Sequence, residues 1–288
     1  MHEIRWSLKL ASIVGVALAL GGWTHSESIA AVGTSSVSQG SPLAYDDWFT
    51  QEAMRVDLFH SGVDTESAYS LDEIVWEPLW PGTRRYLIDP FDFGTYRFRV
   101  TDRATSQEIF RLGFATLFEE WTGTGEAKNK IRRTMHESIR FPWPKQPVTV
   151  TIDHRSRNGK FEPMYRLDID PRSHQILRVR KHTDFEVVSL TPEAKDPAHC
   201  LDIVIIPEGY AREDDSKLRA DLQRFTEAFV STPPWTTMKD MVCIRGIVAY
   251  SNASGVSEPR KGVFVDTLLG ASFNTFDSPR YLTLQHTK

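Results

Sequence analysis

The sequence lacks the features that mark several large classes of protein. Its 34 basic and 38 acidic residues give a net charge of −4, so there is no cationic surplus to bind nucleic acid or anionic lipid. The longest apolar run, residues 10–23, is shorter than the about 20 residues that cross a bilayer. We therefore expect neither a nucleic-acid partner nor a stable membrane anchor.

Complete catalytic motifs are also missing from the sequence. His136 and Glu137 begin the pattern H-E-x-x-H of zinc-binding helices, but Arg140 takes the place of the second histidine, and a cation cannot bind zinc. Gly-Ala-Ser-Phe-Asn at 270–274 lacks the final glycine of a nucleophile elbow, and Gly-Thr-Gly at 123–125 lacks the third glycine of a dinucleotide-binding turn. The sequence therefore predicts no complete catalytic or metal site.

Cysteine is scarce, and the only two are Cys200 and Cys243. In an oxidising compartment an even pair is compatible with one disulfide, and two buried thiols are the alternative. Cys200 precedes one predicted strand and Cys243 opens the next. Parallel pairing of those strands would place both residues at the same sheet edge, but the sequence leaves the choice between thiols and disulfide open.

The N-terminus has the three parts of a secretory signal peptide. Arg5 and Lys9 form a basic opening before the apolar run, and Ala30 and Ala31 follow as small residues suited to cleavage. We expect residues 1–31 to be a signal peptide and residues 32–44 a flexible leader. The mature protein is then secreted, periplasmic or held at the cell surface.

From residue 45 to 182 the sequence predicts an all-β sandwich. Apolar and polar residues alternate in short segments, which gives each strand one apolar face, and prolines and glycines separate the segments. The alternating apolar positions are Met54, Val56 and Leu58, then Tyr96, Phe98 and Val100, then Val148, Val150 and Ile152.

Residues 126–140 are ambiguous, and we interpret them as a possible short helix because apolar side chains recur there at every fourth position: Ala127, Ile131, Met135 and Ile139.

A charged, proline-containing stretch at 183–199 is interpreted as a linker to an incomplete α/β domain at 200–288. Residues 201–206 are nearly all aliphatic, as in a strand buried on both faces of a parallel sheet. An acidic opening then begins a helix with four large apolar side chains on one face: Leu218, Leu222, Phe225 and Phe229. Residues 242–250 form the next strand, so the order β-α-β predicts a right-handed crossover.

Polar residues follow these two predicted strands and form a candidate ligand cleft. In an open α/β sheet, ligands bind beyond the carboxyl ends of the strands. Glu208 follows the first strand, and Arg260, Lys261 and Asn274 lie in a polar, glycine-containing stretch after the second. We predict these four as substrate-cleft residues. A long surface loop is the alternative.

Several segments carry a resemblance to one known family. In the C-terminal part they are Leu-Asp-Ile-Val-Ile-Ile-Pro-Glu-Gly-Tyr at 201–210 and residues 219–221, 255–256, 259–262, 266–267 and 272–276. Upstream they are Phe-Ala-Thr-Leu-Phe-Glu-Glu-Trp at 114–121 and His-Glu-Ser-Ile-Arg-Phe-Pro at 136–142. The first group resembles the start of the catalytic domain of the IgA peptidase family of secreted bacterial zinc metallopeptidases. The second group is similar to that family's N-terminal β-sandwich domain.

The resemblance implies a zincin-like domain that hydrolyses peptide bonds in a protein or peptide substrate, such as a glycoprotein. In such enzymes two histidines of one helix bind zinc, and the glutamate between them is the general base. No residue of this chain matches that helix. We therefore carry over no catalytic or metal-binding residue and expect this polypeptide to bind no zinc.

The predicted α/β part is too small to enclose a core. Residues 200–288 contain two clear strands and one clear helix, whereas a parallel sheet needs cover on both faces. We therefore expect a metallopeptidase whose available sequence is truncated and which is inactive as written. The alternative is a secreted β-sandwich that serves in binding or adhesion, without catalysis.

Overall fold

The computed structural model describes residues 43–178, 185–191 and 200–285. The predicted signal peptide, nearly all of the predicted leader and much of the predicted linker lie outside these residues. Among the helices of the described ranges, none combines the length and apolar character that a bilayer crossing requires.

Two antiparallel sheets make up residues 43–178, after a single helical turn, α1 (Tyr45–Trp48). Their strands are β1 (Phe49–Gly62), β2 (Ser67–Glu77), β3 (Tyr96–Asp102), β4 (Glu108–Phe114), β5 (Arg133–Pro144), β6 (Val148–Arg155) and β7 (Phe161–Ile169). The first sheet has the order β2-β1-β5, and the second has the order β4-β3-β6-β7. Every neighbouring pair in both sheets is antiparallel.

The two sheets bury one common hydrophobic core, which confirms the β-rich character predicted for this part of the chain. The predicted alternation selects the side chains that enter it. Those on β1, β3 and β6 are all buried: Met54, Val56, Leu58, Tyr96, Phe98, Val100, Val148, Val150 and Ile152. Burial of a large apolar side chain contributes about 1.5–3 kcal/mol, so these central strands hold the two sheets together.

The helix suggested for residues 126–140 is largely wrong. A helical turn is present only at its start, and from Arg133 onward the chain is β5, paired along its length with β1. The apolar spacing of four residues is a multiple of two, so it fits a strand as well as a helix. Ile139 is buried on β5 while Ile131, which precedes the strand, is half exposed. Pairing with β1 therefore decides the conformation.

Two short helices connect β4 to β5 and carry a small core of their own. They are α2 (Leu117–Thr122) and α3 (Gly125–Lys128). The hydroxyls of Thr116 and Thr124 cap them by accepting hydrogen bonds from the backbone N–H three residues further on. Phe118, Trp121 and Ala127 form this buried cluster, and Phe118 also stacks on His60 of β1. The Gly-Thr-Gly segment is thus the junction of two helices.

The C-terminal residues form a second, smaller arrangement of strands around one long helix. Its elements are β8 (Glu186–Ser189), β9 (Leu201–Ile205), α4 (Asp215–Val230), β10 (Val242–Val248), β11 (Ser272–Phe273) and β12 (Leu282–Thr283). The sheet order is β8-β10-β9, with β9 and β10 parallel and β8 antiparallel to β10. The predicted β-α-β order is confirmed. The stretch predicted as a linker contributes β8 to this sheet.

The expectation that β9 is buried on both faces is wrong. Leu201 is 44% exposed and Val204 is 49% exposed, because β9 is an outer strand of the described sheet and α4 packs on it only near its carboxyl end, at Ile205. On α4 the buried residues are Leu218, Leu222 and Thr226, whereas Phe225 is 51% exposed. The apolar surface of β9 and α4 is therefore only partly covered by the described residues.

Candidate functional site

The loops that follow β9 and β10 are joined by the carboxylate of Glu208. Its Oε2 accepts a hydrogen bond from the backbone N–H of Leu269, and its Oε1 accepts one from the backbone N–H of Ala271, both at 2.9 Å. Hydrogen bonds to a charged acceptor are stronger than neutral ones. Glu208 therefore holds the loop before β11 against the end of β9.

A buried serine makes the second connection in this loop cluster. The Oγ of Ser251 accepts hydrogen bonds from the backbone N–H of Gly209 at 3.2 Å and of Leu268 at 2.9 Å. Gly209 has a φ of +74°, and a Cβ there would lie 2.2 Å from the carbonyl oxygen of Gly255. Only glycine fits this crossing of two backbones.

Arg260, in the loop before β11, contacts Asn274, which directly follows that strand. The backbone N–H of Arg260 donates to the Oδ1 of Asn274 at 3.2 Å, and its guanidinium is 2.6 Å from the Oδ1 of Asp277. Lys261 instead pairs with Glu258, at 2.5 Å between Nζ and Oε2. Of the four predicted cleft residues, the structure thus joins Arg260 to Asn274 and places Glu208 and Lys261 in separate interactions.

A cleft of about 900 Å³ lies beside Arg260 and Asn274. One wall is formed by residues near β11, and the other comes from the β-rich part of the chain, through Gly125, Glu126 and Arg133. The two parts also touch where the Tyr281 hydroxyl donates to the Oε1 of Glu120 at 2.7 Å and where Phe276 packs on the small core of α2 and α3. This cleft is the candidate functional site.

The second wall of the cleft was missed by reasoning from the sequence. Arg133 donates two hydrogen bonds to Glu126, each of 2.7 Å, and Trp121 donates a third to the same carboxylate at 2.9 Å. The Arg133 hydrogen bonds, and then that of Trp121, lower the pKa of Glu126 although burial acts in the opposite direction. Near Glu126 and Arg133 the sequence shows only that Thr124 can cap a helix. That pattern does not predict that these residues face a loop more than a hundred residues further along the chain.

Comparison with protein families identifies both parts of the chain. The family described as Peptidase M64 N-terminus matches residues 44–166, and the family described as IgA Peptidase M64 matches residues 189–288. The chain belongs to the IgA peptidase M64 family. A search of curated proteins finds no match. The family is one of metallopeptidases, so its substrates are proteins.

In this M64 chain the His-Glu-Ser-Ile-Arg segment lies on β5, where consecutive side chains point to opposite faces of the sheet. Glu137 accepts a hydrogen bond from the Tyr69 hydroxyl at 2.8 Å, and its Oε1 lies 3.0 Å from the Nδ1 of His60, which is fully buried. Burial, and next the charge of Glu137, raises the pKa of Tyr69. His136 lies 3.5 Å from Asp72. The segment is part of the sheet rather than half of a zinc helix.

The described residues of the M64 chain do not fit a zinc ion. Across 43–178, 185–191 and 200–285, no three His, Cys, Asp or Glu side chains are grouped so that they could hold a metal. The i and i+4 histidines that a zincin helix presents have no counterpart on α4, which carries no histidine. No catalytic step through zinc is therefore derived from these residues.

On α4, Asp221 is committed to structural contacts. Its carboxylate accepts hydrogen bonds from Lys217 at 2.6 Å, from Arg224 at 2.8 Å and from the Tyr210 hydroxyl at 2.9 Å. These bonds, that of Lys217 first, hold the pKa of Asp221 well below its usual range. Asp221 therefore stays ionised and anchors the loop after β9 to the helix.

The two cysteines of this M64 chain lie at the other end of the sheet. Cys200 precedes β9 and Cys243 is the second residue of β10, so both are at the amino ends of the parallel pair, opposite to Glu208. Their Sγ atoms are 3.0 Å apart. The predicted placement at one sheet edge is thus confirmed.

Proposed function

We propose that this chain is part of an exported, zinc-dependent metalloendopeptidase that cleaves protein substrates, glycoproteins among them. The observation that carries the proposal is the pair of consecutive family matches, at 44–166 and 189–288, on a chain whose second part folds as a parallel β-α-β unit. Zinc dependence rests on the family resemblance, and export rests on the signal-like sequence at residues 1–31.

The apolar surface of β9 and α4 supports a further element of the proposal. Leu201, Val204 and Phe225 are about half exposed, although a parallel strand and its helix are normally covered. We take these exposed side chains to mark the positions where further strands or helices of the peptidase domain pack. The zinc-binding helix then belongs to that further part, and the polypeptide of 288 residues is inactive alone.

The first test uses the chain as it stands. Purified protein is dialysed with zinc, its metal content is measured by atomic absorption, and cleavage of a fluorescein-labelled casein is followed with and without 1,10-phenanthroline. We expect substoichiometric zinc and no phenanthroline-sensitive cleavage. One zinc per chain together with such cleavage would refute the proposal that this polypeptide lacks the catalytic helix.

The second test addresses the metallopeptidase assignment itself. The coding DNA after the codon for Lys288 is read for H-E-x-x-H, in frame or behind a single frameshift, and the extended protein is expressed if the motif is found. Zinc-dependent proteolysis by the extended protein is the expected result. If the DNA encodes no such motif, the metallopeptidase proposal fails for this gene.

A second candidate function is ligand binding by the β-rich part without catalysis. The observation in its favour is a pair of exposed aromatic rings on the loop before β3. Phe91 is 68% exposed and Phe93 is 72% exposed, and their rings stack at 5.3 Å between centroids. Exposed apolar surface of this kind is typical of contact sites for proteins or glycans.

Binding to mucin glycoprotein, measured by surface plasmon resonance, separates this second candidate from the first. The double variant F91A/F93A should lose the binding, while Tyr86→Ala, which removes another exposed aromatic ring, should retain it. Absence of mucin binding by the parent chain, or equal binding by both variants, would remove the support for an aromatic binding site.

A further inference from the structure

The amino ends of β9 and β10 hold two cysteine side chains in direct contact. Leu201 pairs with Val242 and Asp202 pairs with Cys243 in the parallel ladder, so Cys200 and Cys243 are diagonal neighbours on the same face of the sheet. The Sγ atoms are 3.0 Å apart, and Cys243 is 2% exposed whereas Cys200 is partly accessible. The backbone thus already brings the two sulfurs together.

Other uses of two neighbouring thiols are not supported by their surroundings. In the described parts of the chain, no third His, Cys, Asp or Glu completes a metal site with them. Burial, and then the contact with Cys243, raises the pKa of Cys200 to about 11. Little of the thiol is ionised at neutral pH, so Cys200 has none of the activation that a catalytic cysteine needs.

We propose that Cys200 and Cys243 form a disulfide bond that fastens β9 to β10 in the exported protein. The proposal rests on the export part of the proposed function, because disulfides persist in oxidising compartments. The bond links residues 43 positions apart in the sequence and closes a loop that contains the whole of α4. It therefore stabilises the β-α-β unit at the amino end of β9, where Leu201 is 44% exposed.

The chemistry requires a disulfide-containing oxidant, such as oxidised glutathione or a periplasmic thiol oxidase. The thiolate of Cys200, the more accessible residue, attacks one sulfur of the oxidant and displaces the other as a thiolate, which leaves a mixed disulfide. The thiolate of Cys243 then attacks the sulfur of Cys200, the new S–S bond forms, and the second oxidant thiolate departs. Two thiols lose two protons and two electrons, and one oxidant disulfide becomes two thiols.

The experiment uses the full chain from two sources. One sample is exported to the periplasm of a bacterial host, and the other is made in the cytoplasm and incubated with a glutathione redox buffer. Each is denatured, treated with N-ethylmaleimide with or without prior reduction, and weighed by intact mass spectrometry. We expect no adduct before reduction and two adducts after it, with a Cys200–Cys243 cross-linked peptide in the non-reduced digest.

The two arms keep this proposal separate from the proposed function. Two N-ethylmaleimide adducts without prior reduction in the glutathione-treated sample would refute the proposed disulfide. This result does not depend on whether the signal sequence exports the chain. Failure of the signal sequence to export the chain would count against the proposed location and leave the glutathione result to stand as the test of the bond.

A stability measurement gives an independent readout. Reduction should lower the melting temperature of the parent protein by roughly 5–15 °C, the range expected for a cross-link across a loop of this size in a protein of this length. The same reductant should leave the melting temperature of Cys200→Ser unchanged. An equal response of the parent and of Cys200→Ser would show that no bond links β9 to β10.

Discussion

Replacement of Glu208 by alanine should loosen the loop before β11 without unfolding the β-rich part. The substitution removes the acceptor of two backbone hydrogen bonds, to Leu269 and to Ala271, each of 2.9 Å. A hydrogen bond to a charged group contributes about 1.5–3 kcal/mol. The two amides differ, because the Ala271 N–H also lies 3.1 Å from the hydroxyl of Thr267, whereas Leu269 depends on Glu208.

Amide hydrogen exchange followed by NMR measures this loss at each amide. Because each 1.4 kcal/mol is a factor of ten, exchange at Leu269 should accelerate about tenfold to a hundredfold in Glu208→Ala. Exchange at Ala271 should rise less. Glu208→Gln should give a smaller effect, since its amide oxygen still accepts one of the two bonds. The exposed Glu213 provides the control variant, Glu213→Gln.

The role assigned to Glu208 is refuted if Leu269 exchanges at the same rate in Glu208→Ala and in the parent. Such a result would show that the two hydrogen bonds to Glu208 do not hold the loop before β11 in place.

Three further perturbations test the packing and the electrostatics. Leu222→Ala should destabilise the C-terminal part by about 2–5 kcal/mol in urea unfolding, whereas the half-exposed Phe225→Ala should cost about 1 kcal/mol or less; equal losses would contradict the assigned helix face. Gly209→Ala should impair folding, which limited proteolysis would show, because its Cβ would lie 2.2 Å from a carbonyl oxygen. Burial acts to raise the pKa of Asp153, but hydrogen bonds from two arginines outweigh it and lower that pKa. At pH values above 3.8, the ordinary pKa of an aspartate, the ionised carboxylate of Asp153 therefore stabilises the folded protein. This stabilisation is lost as the pH falls through 3.8 towards the lower pKa of the folded state. Asp153→Asn should flatten the melting temperature against pH in that acidic window, and an unchanged slope would refute the assignment.

The alternation of apolar and polar residues correctly predicted the strands whose buried face can be read from their own sequence. The alternation of Tyr96, Phe98 and Val100 fixes one face of β3, and all three are buried. The four-residue spacing at 126–140 could not distinguish helix from strand, because pairing with β1 decided the outcome. For the same reason, the aliphatic run of β9 did not reveal that β9 is an outer strand of the sheet that the described residues form.

For the candidate site, the sequence indicates which loops meet but not which side chains contact each other. Loop residues after β9 and β10 could be placed at one sheet edge from the rule for parallel strands, and the hydrogen bonds from Leu269 and Ala271 to Glu208 agree with it. The rule does not predict which residues in these loops bond to each other. Glu208 has its two backbone donors in a distant loop, and Glu126 and Arg133 reach the cleft only through the packing of α2 and α3 against the C-terminal part.

The position of β9 in its sheet has a consequence for handling the protein. Within the part of the chain that the structure describes, β9 is an outer strand, so its outer backbone groups offer a template to which a strand of another molecule can add. The exposed side chains of Leu201 and Val204 make that addition favourable. Edge strands with this character promote oligomers and aggregates. Light scattering of the concentrated protein should therefore rise with time, and Val204→Lys, which adds a charge to the edge, should slow it.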